Sequence, residues 1–357
     1  MGAIFALSLF TGRLLCLMRL PSLDFAYDEP DVGYAKYRLH FNENLFLPDE
    51  YYREVAAAAE PWELRYYTDP LNRRLASVIE RYFSLPEGSV VVTAGADDGL
   101  RLAMSLALHG GWGLAVVEPT YGMARVVARQ VGLRPVAVPL GAGLSLDVDA
   151  VVKSSASAVY VCSPNNPTAH VVKELEELAA RFQGLVIYDA AYAEFAGYWA
   201  PKLYEYGNVV EVRTFSKAWG LAGLRVGYVV ADKRIADVLR SLSLPHPISA
   251  LSAKVVERAL ERGRRYVEQS VAQVTEVREA VAPRIRAEKY VGPVNFITVH
   301  VANAEEVASA LDAAGFVVRT LGGKPLCRSC IRFTLAPMPV MEKFLKALEE
   351  ALNTGRQ

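Results

Sequence analysis

Seven short apolar runs set the tightest limit on what this chain can fold into. SVVVTAG (89–95), GLAVVEP (113–119), RPVAVPL (134–140), SAVYVCSP (157–164), GLVIYDAAY (184–192), NVVEVRTFS (208–216) and LRVGYVVA (224–231) read as strands, rich in β-branched residues and closed by turn formers. Most do not alternate apolar with polar residues as a strand with one solvated face would. Between them DDGLRLAMSLALHG, YGMARVVARQVG and VVKELEELAARFQG repeat at helical period, with charge confined to one face. The expected fold is α/β, a mostly parallel seven-stranded sheet with helices on both faces.

After about Pro245 the pattern changes to long charged helices (249–288), then VNFITVHV, a helix at 304–314, GFVVRTL, CIRFTLA and a last helix at 340–352, which read as a smaller α+β domain. The expected division is an N-terminal segment, 1–47, belonging to the small domain; a large domain, 48–245; and a small C-terminal domain, 246–357.

Lys+Arg and Asp+Glu both total 39, so no net field recruits nucleic acid or an anionic membrane, and a small-molecule partner is expected. His40, His109, His170, His246 and His300 have no ligand spacing, so no metal is expected. Cys327 and Cys330 form a single C-x-x-C without the second pair of a zinc site; they read as ordinary thiols near a turn, with a local disulfide as the alternative. The opening MGAIFALSLFTGRLLCLM has too short an uninterrupted apolar stretch to span a bilayer, and no basic residue precedes it as a signal peptide requires. A cytoplasmic protein is expected, and Met18 could equally be its start.

Ligands of open parallel sheets bind at the carboxyl ends of the strands. The first such end gives Gly95-Ala96-Asp97-Asp98-Gly99 opening a helix, a phosphate cup or, equally, an Asp-capped helix start. The P-loop and G-x-G-x-x-G patterns are both missing. Tyr121 in EPTY could stack on a planar ring or merely pack, and SPNNPTA could aim the Asn166 amide into a site or cap its own turn. Asp189 ends LVIYD, where a buried carboxylate needs a cation, and Tyr192 follows. Lys217 comes after VVEVRTFS, with Arg225 eight residues on and the Thr214 and Ser216 hydroxyls beside it. A pyridoxal phosphate ring asks for an amine, an anion at its pyridine nitrogen, donors to its phenolic oxygen, a stacking partner and a phosphate cup.

These residues resemble the fold-type I pyridoxal-phosphate enzymes, the class I/II aminotransferases and, within them, the histidinol-phosphate aminotransferase branch. The resemblance runs from LHFNENLFLP (39–48) through RYYTDP (65–70), TAGADDGL, EPTYGMARVVA, CSPNNPTA, IYDAAYAEF and TFSKAWGLAGLRVGY to CIRFTL (330–335). It implies pyridoxal 5'-phosphate as cofactor, Lys217 as the Schiff-base lysine, Asp189 at the pyridinium nitrogen, Asn166 and Tyr192 at the phenolic oxygen, and Tyr121 stacked on the ring. It further implies that Ala96 and Asp97 N–H groups, Thr214, Ser216 and Arg225 hold the phosphate, and that Tyr66 reaches the phosphate of a neighbouring subunit in a homodimer with shared sites. Three departures from the branch stand out: Ala169 where glycine is usual, Ala190 where an acidic residue is common, and no glycine after CIRFTL.

The substrate's anion is expected at Arg332, with Asn166 beside it and Arg319 as a second fork; a surface ion pair is the competing reading for both arginines. The resemblance implies transamination between an amino donor and a 2-oxo acid, foremost histidinol phosphate with 2-oxoglutarate, in histidine biosynthesis. Alternatives are an aspartate or aromatic amino acid aminotransferase, a lyase like threonine-phosphate decarboxylase, and a non-catalytic cofactor-binding regulatory protein.

Overall fold

The computed structural model describes residues 37–58, 65–111, 113–324 and 326–354. The expectations for residues 1–17 and for most of the segment 1–47 lie outside these. Chain order runs through β1 (Tyr37–Arg38), β2 (Val90–Thr93), β3 (Gly113–Glu118), β4 (Arg134–Pro139), β5 (Ala158–Cys162), β6 (Leu185–Asp189), β7 (Val209–Thr214), β8 (Gly227–Ala231), β9 (Lys289–Tyr290), β10 (Phe296–His300), β11 (Phe316–Val317), β12 (Arg319–Lys324) and β13 (Cys327–Thr334).

β2 to β8 form one seven-stranded sheet in the order β2-β8-β7-β6-β5-β3-β4. β3 to β7 run parallel, and β8 alone is antiparallel to its neighbours β2 and β7. The carboxyl ends of β3, β5, β6 and β7 therefore open on one edge. The apolar runs become strands because both their faces are covered. On one side Leu100 and Met104 of α1 (Ala96–Gly110) pack with Val212 and Val229; on the other Val159, Val186 and Tyr188 meet Leu178 and Phe182. Each such side chain contributes about 1.5–3 kcal/mol by leaving water. β4 departs from the pattern: it is a sheet edge, Val136 is exposed, and Pro135 and Pro139 are tolerated because no further strand among the described residues needs an N–H from them.

β9, β10, β12 and β13 form a four-stranded antiparallel sheet, while β1 pairs in parallel with β11. The long helical stretch comprises Ala250–Arg258 and Arg264–Val281, joined through a π-turn at Ala259–Gly263. Tyr51 is buried against Gly263 and donates its hydroxyl to the Trp219 carbonyl at 2.7 Å, tying an early helix to the turn after Lys217. The thiol reading is corrected: Cys327 and Cys330 are joined in a disulfide, both buried, with Cα atoms 5.7 Å apart and so within bridging range.

One buried charge cluster fixes the strand that leads into the lysine. Arg213, Glu211 and Glu194 are all at most 2% exposed. The Arg213 guanidinium lies 2.8 Å from Glu211 Oε1 and 3.5 Å from Glu194 Oε1, and donates to the Tyr198 and Trp199 carbonyls. Burial nevertheless pushes the Glu194 carboxyl up to about 7 against the pull of Arg213. Removing the cation strands two carboxylates. Arg213→Met is expected to lower the unfolding free energy by about 3–5 kcal/mol at neutral pH. The deficit should shrink at mildly acidic pH as the stranded carboxyls take up protons, which urea unfolding at both pH values will measure.

Candidate active site

A cavity of 370 Å³ lies over the carboxyl edge of the large sheet. Ala96, Asp97, Tyr121, Asn166, Asp189, Tyr192, Thr214, Ser216, Lys217, Arg225, Arg319 and Arg332 all line it. Tyr66 does not: it is exposed on the surface, outside the cavity walls.

Asp189 occupies the last position of β6, buried, and accepts hydrogen bonds from the Tyr160 hydroxyl at 2.8 Å and the Ala191 N–H at 3.1 Å. Burial pushes its carboxyl up to about 6, although both bonds pull the other way. It makes no salt bridge among the described residues. Such a carboxylate suits a cationic ring nitrogen. The neighbouring Ala190 is fully buried in the apolar layer behind the sheet.

Lys217 stands three residues beyond β7, half-buried, with Nζ donating to the Phe41 carbonyl at 2.7 Å. Burial, then Arg332 and Arg225, lower the amine to about 8, partly offset by Glu43 and Asp97. The sign matters for chemistry: an ordinary lysine is almost wholly ammonium at neutral pH, whereas this one has an appreciable fraction as free nucleophile.

Around the start of α1 the backbone is drawn tight. Gly95 has φ +80°, and a side chain there would meet Arg225 Nη2 at 2.9 Å; one on Gly227 would sit 2.6 Å from the Gly95 carbonyl carbon and 2.8 Å from the Ala96 nitrogen. No side chain caps the helix, so the Asp-cap reading of this segment gives way. Asp98 instead binds the Ala94 N–H and Arg101, while Asp97 pairs with Arg225 at 3.5 Å and accepts from the Tyr121 hydroxyl at 3.3 Å. Thr214 Oγ1 accepts the Ser216 N–H at 3.0 Å, and the buried Ser216 hydroxyl has no hydrogen-bond partner among the described residues. An uncapped helix start, an orphaned hydroxyl and a guanidinium around a glycine-tight turn fit a phosphate.

The turn after β5 divides its two asparagines. Asn165 does the structural work, donating to the Pro119 carbonyl and Thr168 Oγ1 and accepting from Thr120, which leaves Asn166 facing the cavity. Ala169 follows in the left-handed region at φ +59°, where glycine would avoid a cost of about 1–2 kcal/mol. Asn166 Oδ1 accepts from Arg332 Nη1 at 2.7 Å, and Arg332 Nη2 donates to the His40 carbonyl at 2.7 Å. Arg319 lies directly opposite Arg332 in the β12–β13 register. The surface ion-pair reading fails for Arg332, which is buried with its guanidinium 5.5 Å from the Phe296 ring centre.

Sequence reasoning passed over three contributors. Tyr160 lies inside a strand that reads only as core, Asn42 in NEN carried no role, and Phe41 acts through its carbonyl, which no side-chain pattern reveals.

The family model for aminotransferases of class I and II matches residues 36–348. A histidinol-phosphate aminotransferase of Thermococcus gammatolerans is 31% identical over 323 residues, covering 89% of this chain and 92% of the relative. One from Caldanaerobacter subterraneus is 27% identical over 92% of this chain and 96% of the relative. The crystal structure of the Sinorhizobium meliloti histidinol-phosphate aminotransferase in complex with pyridoxal-5'-phosphate superposes with a TM-score of 0.79 at 25% identity, covering 89% of this chain and 91% of that one.

If Lys217 is the capturing amine, uptake of pyridoxal phosphate by the cofactor-free protein should quicken as pH rises, with a midpoint near 8. Stopped-flow absorbance in the visible will measure it, and Lys217→Ala should show no such phase at any pH.

Proposed function

The chain belongs to the aminotransferase class I and II family and is a pyridoxal-phosphate-dependent transferase acting on an amino donor and a keto acid; from that premise we propose that its donor is histidinol phosphate and its acceptor 2-oxoglutarate. The observation that carries the substrate is the pairing of Arg319 with Arg332 across one antiparallel register at the cavity wall. Two arginines at facing positions, both lining the cavity, suit a phosphate dianion better than a single carboxylate. The names of the relatives agree with this choice. A histidine-biosynthetic role in the cytoplasm goes with it.

Bound pyridoxal phosphate supplies an aldehyde that condenses with amines and a ring that accepts the electron pair left at the substrate's α-carbon. Every other part falls to this chain. Asp189 holds the ring nitrogen's proton through charge complementarity, and the Tyr160 and Ala191 bonds keep the carboxylate aimed. Ala96 and Asp97 N–H groups, Thr214, Ser216 and Arg225, all at the cavity wall, would hold the phosphate, and Tyr121 would lie against the ring. Asn166 and Tyr192 hold the phenolic oxygen, with the Asn166 amide set by Arg332. Lys217 would be the residue that binds the cofactor's aldehyde, and its Nζ, lowered to about 8, would be the group that accepts and returns the substrate's α-proton. Tyr66, exposed on the surface, reaches the phosphate of a second copy in a homodimer; light scattering and a loss of cofactor retention in Tyr66→Phe test that part.

Mixing the cofactor-loaded protein separately with histidinol phosphate, aspartate, phenylalanine and threonine phosphate tests the donor. Conversion of the cofactor's visible absorption is expected with histidinol phosphate at low concentration. Arg319→Ala and Arg332→Lys should each raise the KM for that donor by about 10–100-fold. Conversion by aspartate or phenylalanine alone would move the protein to another aminotransferase specificity, and carbon dioxide release from threonine phosphate would make it a lyase.

A further inference from the structure

Asn42 is 1% exposed and holds a left-handed backbone, φ +57°, in the segment between β1 and the helix Asp49–Ala56. Its main chain is held by the small sheet: its N–H donates to Thr334 Oγ1 at 2.9 Å and its carbonyl accepts from Asn295 Nδ2 at 3.0 Å. The Thr334 hydroxyl is in turn committed to the Leu39 carbonyl at 2.9 Å. From this fixed position Asn42 Nδ2 reaches the Tyr192 hydroxyl at 2.8 Å. Tyr192 comes from the other sheet, three residues past Asp189, with its ring 5.8 Å from Lys217 Nζ.

A tyrosine hydroxyl has one hydrogen to give and lone pairs with which to accept, whereas an amide nitrogen has only hydrogens. We propose that Asn42 is a positioning residue for the reaction: by donating to the Tyr192 oxygen it leaves that hydroxyl's single hydrogen to point at the cofactor's phenolic oxygen. The inference rests on the reading that Tyr192 faces that oxygen. Burial raises the Tyr192 phenol above its ordinary range, so it keeps a hydrogen to donate throughout the working pH range.

A donor at the phenolic oxygen stabilises negative charge there, and that charge is felt most once the neighbouring cofactor nitrogen has lost its proton. Taking the donor away makes that proton harder to remove. The pH midpoint of the bound cofactor's visible absorption should therefore rise when Tyr192 loses its hydroxyl, and rise equally when Asn42 stops directing it. The same bond ties a small-sheet position to cofactor electronics, because Asn42 cannot move without Thr334 and Asn295.

The test is the absorption titration of cofactor-loaded wild type, Asn42→Gly, Asn42→Asp, Tyr192→Phe and the Asn42→Gly/Tyr192→Phe double variant, each checked for folding by circular dichroism. Glycine keeps the left-handed backbone while deleting the donor, and aspartate replaces the donor by an acceptor that would capture the Tyr192 hydrogen. The expected result is a rise of about one pH unit in each single variant, with the double variant no higher than Tyr192→Phe alone. If Tyr192→Phe raises the midpoint and both Asn42 variants leave it unchanged, or if the double variant sums the two shifts, the proposal is overturned while the Tyr192 reading stands. If Tyr192→Phe itself shifts nothing, the reading beneath the proposal falls with it. A lowered midpoint in Asn42→Gly would mean that Asn42 accepts the Tyr192 hydrogen, and would also overturn the proposal.

Discussion

A carboxylate sealed at the end of a buried strand is tolerable only opposite positive charge, and Asp189 imposes that condition on everything around it. Its hydrogen bonds come from neutral donors, Tyr160 and the Ala191 N–H, and burial still holds the acid up to about 6. A protonated ring nitrogen would satisfy the condition from outside the chain. Lys217 meets the complementary problem, an amine among arginines, and gives up part of its basicity. The two groups sit within one cavity because β6 and β7 are adjacent and parallel, so their carboxyl ends emerge side by side. Reactivity here follows from topology: the sheet brings mismatched charges to one edge, and the mismatch makes them useful.

Much of this was legible because parallel sheets write themselves plainly. Apolar β-branched runs announced the large-sheet strands, and residues at the carboxyl ends of β2, β3, β5, β6 and β7 line the cavity. The reading faltered where structure depends on neighbours rather than on the run itself. RPVAVPL looks like its siblings, but it became an exposed edge because no strand among the described residues pairs beyond it. Nothing in Tyr160 separates it from ordinary core, and only the β5–β6 register brings its hydroxyl to Asp189.

Asn42 was invisible for a different reason. The segment from Leu39 to Asn44 has no periodicity to read, yet it is threaded between the two sheets and its bonds cross 150 to 295 positions of sequence. His40 gives its carbonyl to Arg332, Phe41 gives its own to Lys217, and the Asn44 amide donates to the Ala218 carbonyl. Such a segment is defined by its partners, and a single sequence does not say who they are. The cysteine pair shows the same limit: Cys327 and Cys330 are too few to signal a framework, and only their 5.7 Å approach on β13 couples them.

The hydrogen bond from Arg332 to Asn166 has an evolutionary consequence. On the reading proposed above, chemistry sits on the seven-stranded sheet and the choice of substrate mostly on the β12–β13 hairpin, an arrangement that would let a lineage exchange one substrate for another by altering the hairpin. At this bond, however, the two are welded. A change that moves the Arg332 guanidinium to greet a new anion also releases the amide beside the reacting ring. New specificities on this scaffold should therefore arise first through Arg319, Leu321 and their neighbours, with Arg332 the last position free to drift.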